Sequence, residues 1–469
     1  MLLVSLLIFT ATTLAQNASN LLHADPTTRA EVGAAFEAAQ HADRSFAFYN
    51  TPSNFSRSTS PGTLLLVEDA TPMLNYTVPI GLTLSRIIYT TSDINGTVLP
   101  TTAFVLWPYT TPDPVKGFDI VGWAHGTSGV FRKCAPSNYR SLQYHFMVPY
   151  TLALQGFAVV APDYAGLGID TLASGQQFHH QWLTAPSQAN DLANAIVAAR
   201  KAFPQVLHPN GSFVVMGHSQ GGRAAWAFAE RQGTSPIAGY RGTVALAPPV
   251  KAIEQVDRAI ANSSEVYAAA TLDQQVMIID AVSTIFPSYN HSGLPASAYD
   301  RWFGQVARVQ GCLPTNVLSF LDMKQDQLAH PRWTNDSIVQ EWAKLADVGG
   351  KRFEGPLLVI AGEVDAAVDV KLVKKVAEDT CNQGQREGWH QSLELVEYSA
   401  ISHFALIQAS QQQWLSWIQR RLSDQDPGMP GCTSRRVNGY RAVASPLGTA
   451  PNFFLSWFDP AIDFWKYVL

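Results

Sequence analysis

The sequence predicts an α/β fold: a mostly parallel central sheet flanked by helices, with a helical insertion late in the chain. Three observations predict it. From Ala158 onward, short apolar runs rich in β-branched residues alternate with stretches of helical spacing. Before Ala158, strand-like runs follow one another with no helix between them, so the sheet should begin with antiparallel strands. Ser212–Arg231 reads as strand, turn, helix around Gly217-His218-Ser219-Gln220-Gly221, a G-x-S-x-G turn.

The expected strands, in order, are Thr63–Val67, Leu84–Thr90, Thr102–Leu106, Asp119–Trp123, Ala158–Val160, Ser212–Met216, Thr243–Leu246, Pro356–Ile360 and Leu393–Glu397. Expected helices include Gln188–Lys201, with apolar residues at helical spacing, and Arg223–Arg231, rich in strong helix formers. After "VALAPP", alternation stops. About a hundred residues, 251–350, carry no convincing strand and are rich in Ala, Val, Ile and Trp, before "GPLLVIAGEVD" restarts the sheet. They form either a cap or lid over an active site or a structural subdomain. The expected division is a signal peptide at 1–15, a core at 16–250 and 351–432, the insertion at 251–350, and a C-terminal extension at 433–469.

The chain of 469 residues has a net charge of −5 and no long basic run, which argues against a nucleic-acid partner. Its first sixteen residues are apolar for the length of a signal-peptide core, too short to span a bilayer comfortably, with small residues at Thr13-Leu14-Ala15. No Lys or Arg precedes them. Eight N-x-S/T sequons, at Asn17, Asn54, Asn75, Asn95, Asn210, Asn262, Asn290 and Asn335, add to the case for secretion and glycosylation. The four cysteines, Cys134, Cys312, Cys381 and Cys432, lack C-x-x-C spacing, and their even number in an exported chain suggests two disulfides, with three pairings open. No integral membrane span is expected in the mature chain, because the aromatic C-terminus is broken by charges and Pro460.

The G-x-S-x-G turn is the chemical signal. So sharp a turn demands residues without side chains at Gly217 and Gly221, and it lifts Ser219 above the sheet as a nucleophile. A serine hydroxyl needs a base, and the base needs an orienting acid. Downstream, Asp365 follows a strand end, with Glu363 and Asp369 as competitors. Asp369 stands where a helix N-cap would fall. His403 follows the next strand, whereas His390 precedes it, on the wrong side of the sheet. The expected triad is Ser219, Asp365 and His403. An oxyanion hole needs two N–H groups. One is Gln220's, just after the nucleophile. The other comes from the His125-Gly126-Thr127 loop, from Thr127 first and Gly126 second. Asp163 and Tyr164 either position this region or form a structural turn. His179, His180 and His218 receive no role. Neither a metal nor a cofactor is expected, since no compact ligand cluster appears.

The stretches "GWAHGTSG…CAPS", "APDYAGLG", "GHSQGG", "VIAGEVD" and Ser402-His403 resemble secretory lipases of the Candida antarctica lipase A type, in the α/β-hydrolase superfamily. The resemblance runs from about Asp119 to Cys432. It implies an α/β-hydrolase fold with a helical cap, serine-dependent hydrolysis of esters, and the same triad and oxyanion donors. It also implies the pairs Cys134–Cys312 and Cys381–Cys432. The expectation is a secreted triacylglycerol lipase that meets a lipid–water interface transiently. "GHSQGG" also resembles carboxylesterases, so a carboxylesterase on short-chain, aryl or polymer esters stands beside it. A serine peptidase and a catalytically dead binding scaffold are the remaining alternatives.

Overall fold

Among the described residues ten strands form one sheet in the order β1-β2-β3-β5-β4-β6-β7-β8-β9-β10. The computed structural model describes residues 21, 23–111, 113–389, 392–423 and 431–441. The expected signal peptide, the Asn17 sequon, His390 and the tail after residue 441 lie outside these. The strands are β1 (Leu64–Glu68), β2 (Thr83–Ser92), β3 (Val98–Trp107), β4 (Ile120–Ala124), β5 (Ala158–Pro162), β6 (Phe213–His218), β7 (Tyr240–Leu246), β8 (Leu357–Gly362), β9 (Ser392–Tyr398) and β10 (Gly431–Val437). β1 to β3 pair antiparallel, and β3 meets β5 antiparallel. From β5 to β10 all neighbours are parallel.

β4 to β6 and β8 are buried along their whole length, as parallel strands covered on both faces must be. On one face lie the helices α1 (Ala185–Ala202), α2 (Gln220–Gln232) and α3 (Val370–Glu387), on the other the segment Ala405–Leu422. Small residues let α2 approach closely. A Cβ on Gly222 would come within 2.3 Å of the Leu246 carbonyl oxygen. The chain leaves β4 toward β5 on one side and enters β6 on the other, so the loops after β4 and β6 diverge and open a crevice at the strand ends.

Residues 251–350 contain helices and turns only, and most of their apolar side chains cluster together with Val130, Trp182 and Leu183, apart from the clusters on the two faces of the sheet. Two features depart from expectation. β10 is a strand that the sequence pattern did not announce, and it carries the sheet to Val437, beyond residue 432. β2 and β3 are longer at both ends, because their antiparallel pairing runs without a break from Thr83–Trp107 to Ser92–Val98 beside the Asn95-Gly96 turn. The early helix Pro26–Gln40 docks on the insertion, where Glu37 accepts from the N–H groups of Cys312 (2.9 Å) and Thr315 (2.8 Å).

Disulfides join Cys134 to Cys312 and Cys381 to Cys432. The first staples the loop after β4 to the insertion. The second ties α3 to β10, an exposed edge strand without an apolar face. The two bridges close spans of 178 and 51 residues. By the chain-entropy model they contribute about 5 and about 4 kcal/mol. Replacing Cys134 and Cys312 by serine should therefore lower the denaturant midpoint, slightly more than the same change at Cys381 and Cys432. Unchanged midpoints would show that the folded packing alone fixes these contacts.

Candidate active site

Ser219 follows the last residue of β6 and has φ 58°, ψ −123°, a region that non-glycine residues avoid. Its neighbours explain how the chain reaches it. A Cβ on Gly217 would lie 2.0 Å from the Gly221 carbonyl oxygen, and one on Gly221 would lie 1.9 Å from that of Ala124. Only glycine fits either position. The Ser219 N–H donates to the Leu246 carbonyl at 3.0 Å, and its own carbonyl accepts from Arg223, the first bond of α2. Ser219 is partly exposed between buried His218 and Gln220.

Asp365 and His403 follow the ends of β8 and β9, and His403 Nδ1 lies 2.9 Å from Asp365 Oδ2. A carboxylate only accepts, so Nδ1 carries the proton and Nε2 keeps its lone pair. Asp365 Oδ1 accepts from the N–H groups of Ala367 (2.8 Å) and Val368 (2.9 Å), which fix the carboxylate. Ser402, which sequence reasoning left without a task, joins the two loops by accepting the Ala366 N–H at 3.1 Å. Close approach here requires Gly362, where a Cβ would meet the Ile401 carbonyl oxygen at 2.5 Å. The two competing acids are engaged elsewhere. Glu363 pairs with Arg436 at 2.6 Å, and Asp369 caps α3 and binds Arg258 at 2.5 Å.

Ser219, His403, Thr127 and Gln220 border one cavity of about 380 Å³. Roughly half of its wall comes from the insertion, mostly apolar groups such as Ile278, Val317, Phe320 and Met323, with Asp273 as the insertion's one charged contribution. The volume lies at the small end of the range for drug-sized ligands, about 300–1,000 Å³. A larger concavity of about 590 Å³ shares none of these residues. Charged side chains line it, among them Arg86, which is already paired with Glu68. Size alone does not pick the site; convergent strand ends do.

The backbone N–H groups of Thr127 and Gln220 donate to no protein acceptor among the described residues. Gly126 has a different position: its N–H faces the Tyr144 hydroxyl, and a Cβ there would lie 2.0 Å from that oxygen. Asp163 does not border the cavity. It accepts from Thr102 Oγ1 and from Ser137 N and Oγ, holding the 135–137 turn.

Three histidines surround this chemistry in neutral form: His125 of the oxyanion loop, and His180 and His218, which had no role from sequence. Burial pushes His125 down to about 4 and His180 down to about 3. Burial first, and the adjacent His403 second, push His218 well below its ordinary value. His218 accepts from the Tyr144 hydroxyl (3.0 Å) and donates to the His403 carbonyl (3.1 Å), which ties the elbow to the base loop. No periodicity reveals such residues, because their partners are distant in sequence. Among the described residues, no group of three or more His, Cys, Asp or Glu is arranged to hold a metal, and no helix is long and apolar enough to cross a membrane.

A family model described as alpha/beta hydrolase fold matches residues 125–410. No curated protein matches the chain. Among solved structures, Candida antarctica lipase A in its closed state superposes with a TM-score of 0.67 at 17% identity, covering 86% of this chain and 92% of that one. The rice cell wall degrading esterase LipA from Xanthomonas oryzae gives 0.58 at 18%, covering 78% and 100%. A putative hydrolase from Legionella pneumophila gives 0.57 at 16%, covering 76% and 93%. At such identities the likeness is one of fold.

His180 supplies a pH test. Its folded value of about 3 is below the ordinary 6.5, so between these the unfolded chain takes a proton that the folded chain refuses. That contribution to stability is present above 6.5 and is lost as pH falls toward 3. Urea melts at pH 7 and pH 4.5 should show a larger acid loss for the unaltered protein than for His180→Phe. Equal losses would mean that His180 takes its proton without unfolding.

Proposed function

The chain belongs to the α/β-hydrolase-fold family, and from that premise we propose that it is a secreted serine ester hydrolase, a triacylglycerol lipase working through Ser219, His403 and Asp365. The observation that carries the reading is the His403–Asp365 bond at the border of the same cavity as Ser219.

The geometry supports acyl transfer in two halves. Ser219 Oγ attacks the ester carbonyl as its proton passes to His403 Nε2. The carbonyl oxygen becomes an oxyanion and is met by the N–H groups of Thr127 and Gln220. The tetrahedral intermediate collapses, the C–O bond to the alcohol breaks, and His403 gives the alcohol its proton. Water then attacks the acyl-enzyme, losing a proton to His403, and the carboxylic acid leaves as Ser219 recovers its hydrogen. Asp365 holds the imidazole in the required tautomer and stabilises its transient charge. No cofactor enters these steps.

The apolar wall given by residues 251–350 favours a lipid acyl chain, with that insertion acting as the cap. Secretion is supported by two disulfides and by seven sequon asparagines, Asn54 to Asn335, that all stand exposed. The modest cavity and the Asp273 carboxylate on its wall favour a second reading, a carboxylesterase on shorter or aryl esters.

Ser219→Ala should lose at least about a thousandfold in kcat toward p-nitrophenyl esters while the fold stays intact. Full activity in that variant would remove the proposal. A rate profile from C2 to C18 esters beside an olive-oil emulsion separates the two readings. Hydrolysis of the emulsion selects the lipase, and activity confined to short chains selects the carboxylesterase.

A further inference from the structure

Thr127 lies in the loop after β4 and Gln220 begins α2 after β6, yet their side chains are held by the same three-residue stretch, His180 to Trp182. Trp182 Nε1–H donates to Thr127 Oγ1 at 3.0 Å. Gln220 Nε2–H donates to His180 Nε2, also at 3.0 Å. The other nitrogen of His180 lies 3.0 Å from the Ala165 carbonyl oxygen, which fixes the tautomer. Nδ1 donates, and Nε2 is free to accept from Gln220. Because the ring stays neutral, that bond survives; a protonated ring would turn two donors against each other.

The stretch is itself anchored. The His180 ring lies parallel to that of Tyr164, with centroids 5.7 Å apart, and Tyr164 stacks on His125 at 4.2 Å. The Tyr164 hydroxyl donates to the His125 carbonyl at 2.9 Å, just upstream of Thr127. Gly166 allows the packing, since a Cβ there would lie 2.2 Å from His180 N. His180, Trp182, Tyr164 and His125 are all buried. Trp182 also borders the cavity and packs into the insertion's apolar cluster.

Ordinary satisfaction of buried polar groups does not account for the whole pattern. One stretch holds two residues from separate segments, and both carry backbone N–H groups without a protein acceptor among the described residues at the cavity. We propose that Trp182 and His180 are positioning residues that clamp Thr127 and Gln220, fixing the separation and direction of the two N–H groups that meet the developing oxyanion. The inference rests on the ester-hydrolase reading. It adds that oxyanion stabilisation depends on side chains that never touch the substrate oxygen. Preorganised donors need this, because a donor that must reorient during reaction loses much of its effect.

Thr127 allows a test with little risk to the fold. Thr127→Val keeps the shape and removes the acceptor, whereas Thr127→Ser keeps the acceptor. Against p-nitrophenyl butyrate, Thr127→Val should lower kcat roughly tenfold, short of the loss from deleting a donor outright, with KM changed less than about twofold. Thr127→Ser, which restores the acceptor, should recover most of the kcat that Thr127→Val loses. Trp182→Phe should match Thr127→Val, and the double variant should be no slower than the slower single. Inhibition by phenylboronic acid, which forms a tetrahedral adduct, should weaken in step with kcat/KM. Thermal unfolding of each variant keeps general destabilisation apart from these effects. A Thr127→Val enzyme at wild-type kcat would overturn the clamp, as would losses that multiply in the double variant. Absence of both hydrolysis and fluorophosphonate labelling at Ser219 in the unaltered protein would instead overturn the ester-hydrolase reading. Active, labelled protein with indifferent variants would overturn the clamp alone.

Discussion

Ser219 is held at positive φ by its neighbours on every side, and the rest of the site is arranged around that backbone. Such a conformation costs about 1–3 kcal/mol and persists only where surrounding structure over-determines it. Here β6 is paired on both edges, to β4 and β7, and α2 starts immediately after the turn. The two glycines at 217 and 221 remove the Cβ atoms that would collide with backbone oxygens. Burial of Trp226 and Phe228 from α2 against the sheet offsets the strain. The outcome is a hydroxyl raised at the carboxyl end of the sheet, with the Gln220 N–H beside it.

Once that point is fixed, parallel pairing does the rest. β4, β6, β8 and β9 run in the same direction, so the loops bearing Thr127, Ser219, Asp365 and His403 all leave the sheet at one end. Short polar contacts then remove the remaining freedom. Ser402 joins the acid and base loops, His218 joins the elbow to the base loop, and the His180–Trp182 stretch joins the elbow to the loop after β4. The insertion takes part in this as well as supplying wall. Cys134–Cys312 and the bond from Leu313 N–H to the Ser128 carbonyl fasten it directly downstream of Thr127. A Cβ on Gly129 would lie 2.5 Å from Cys134 Sγ, so the loop passes in contact with the bridge.

The sequence displayed the parts whose signal is local. The strands β4 to β6 and β8 are apolar and rich in β-branched residues because both faces are buried, and their runs mark them out. Asp369 could be set apart from Asp365 because an N-cap has a recognisable place, and its side chain does cap α3. What was hidden depends on distant partners. Gly431–Val437 has no apolar face, and it holds its place through β9 and Cys381. Pro26–Gln40 gives no hint in its own pattern that Glu37 will bind the backbone of residues 312 and 315. His180, Trp182 and His218 look like scattered polar or aromatic residues until the fold brings them to the site.

The crystal structure of the protein after reaction with a p-nitrophenyl alkylphosphonate tests the central arrangement most directly, because the adduct imitates the tetrahedral intermediate. Phosphorus should be bonded to Ser219 Oγ. The phosphoryl oxygen should lie about 2.7–3.1 Å from the nitrogens of Thr127 and Gln220, with His403 Nε2 beside the ester oxygen. Phosphorus on another residue, or a phosphoryl oxygen turned away from both amides, would contradict it.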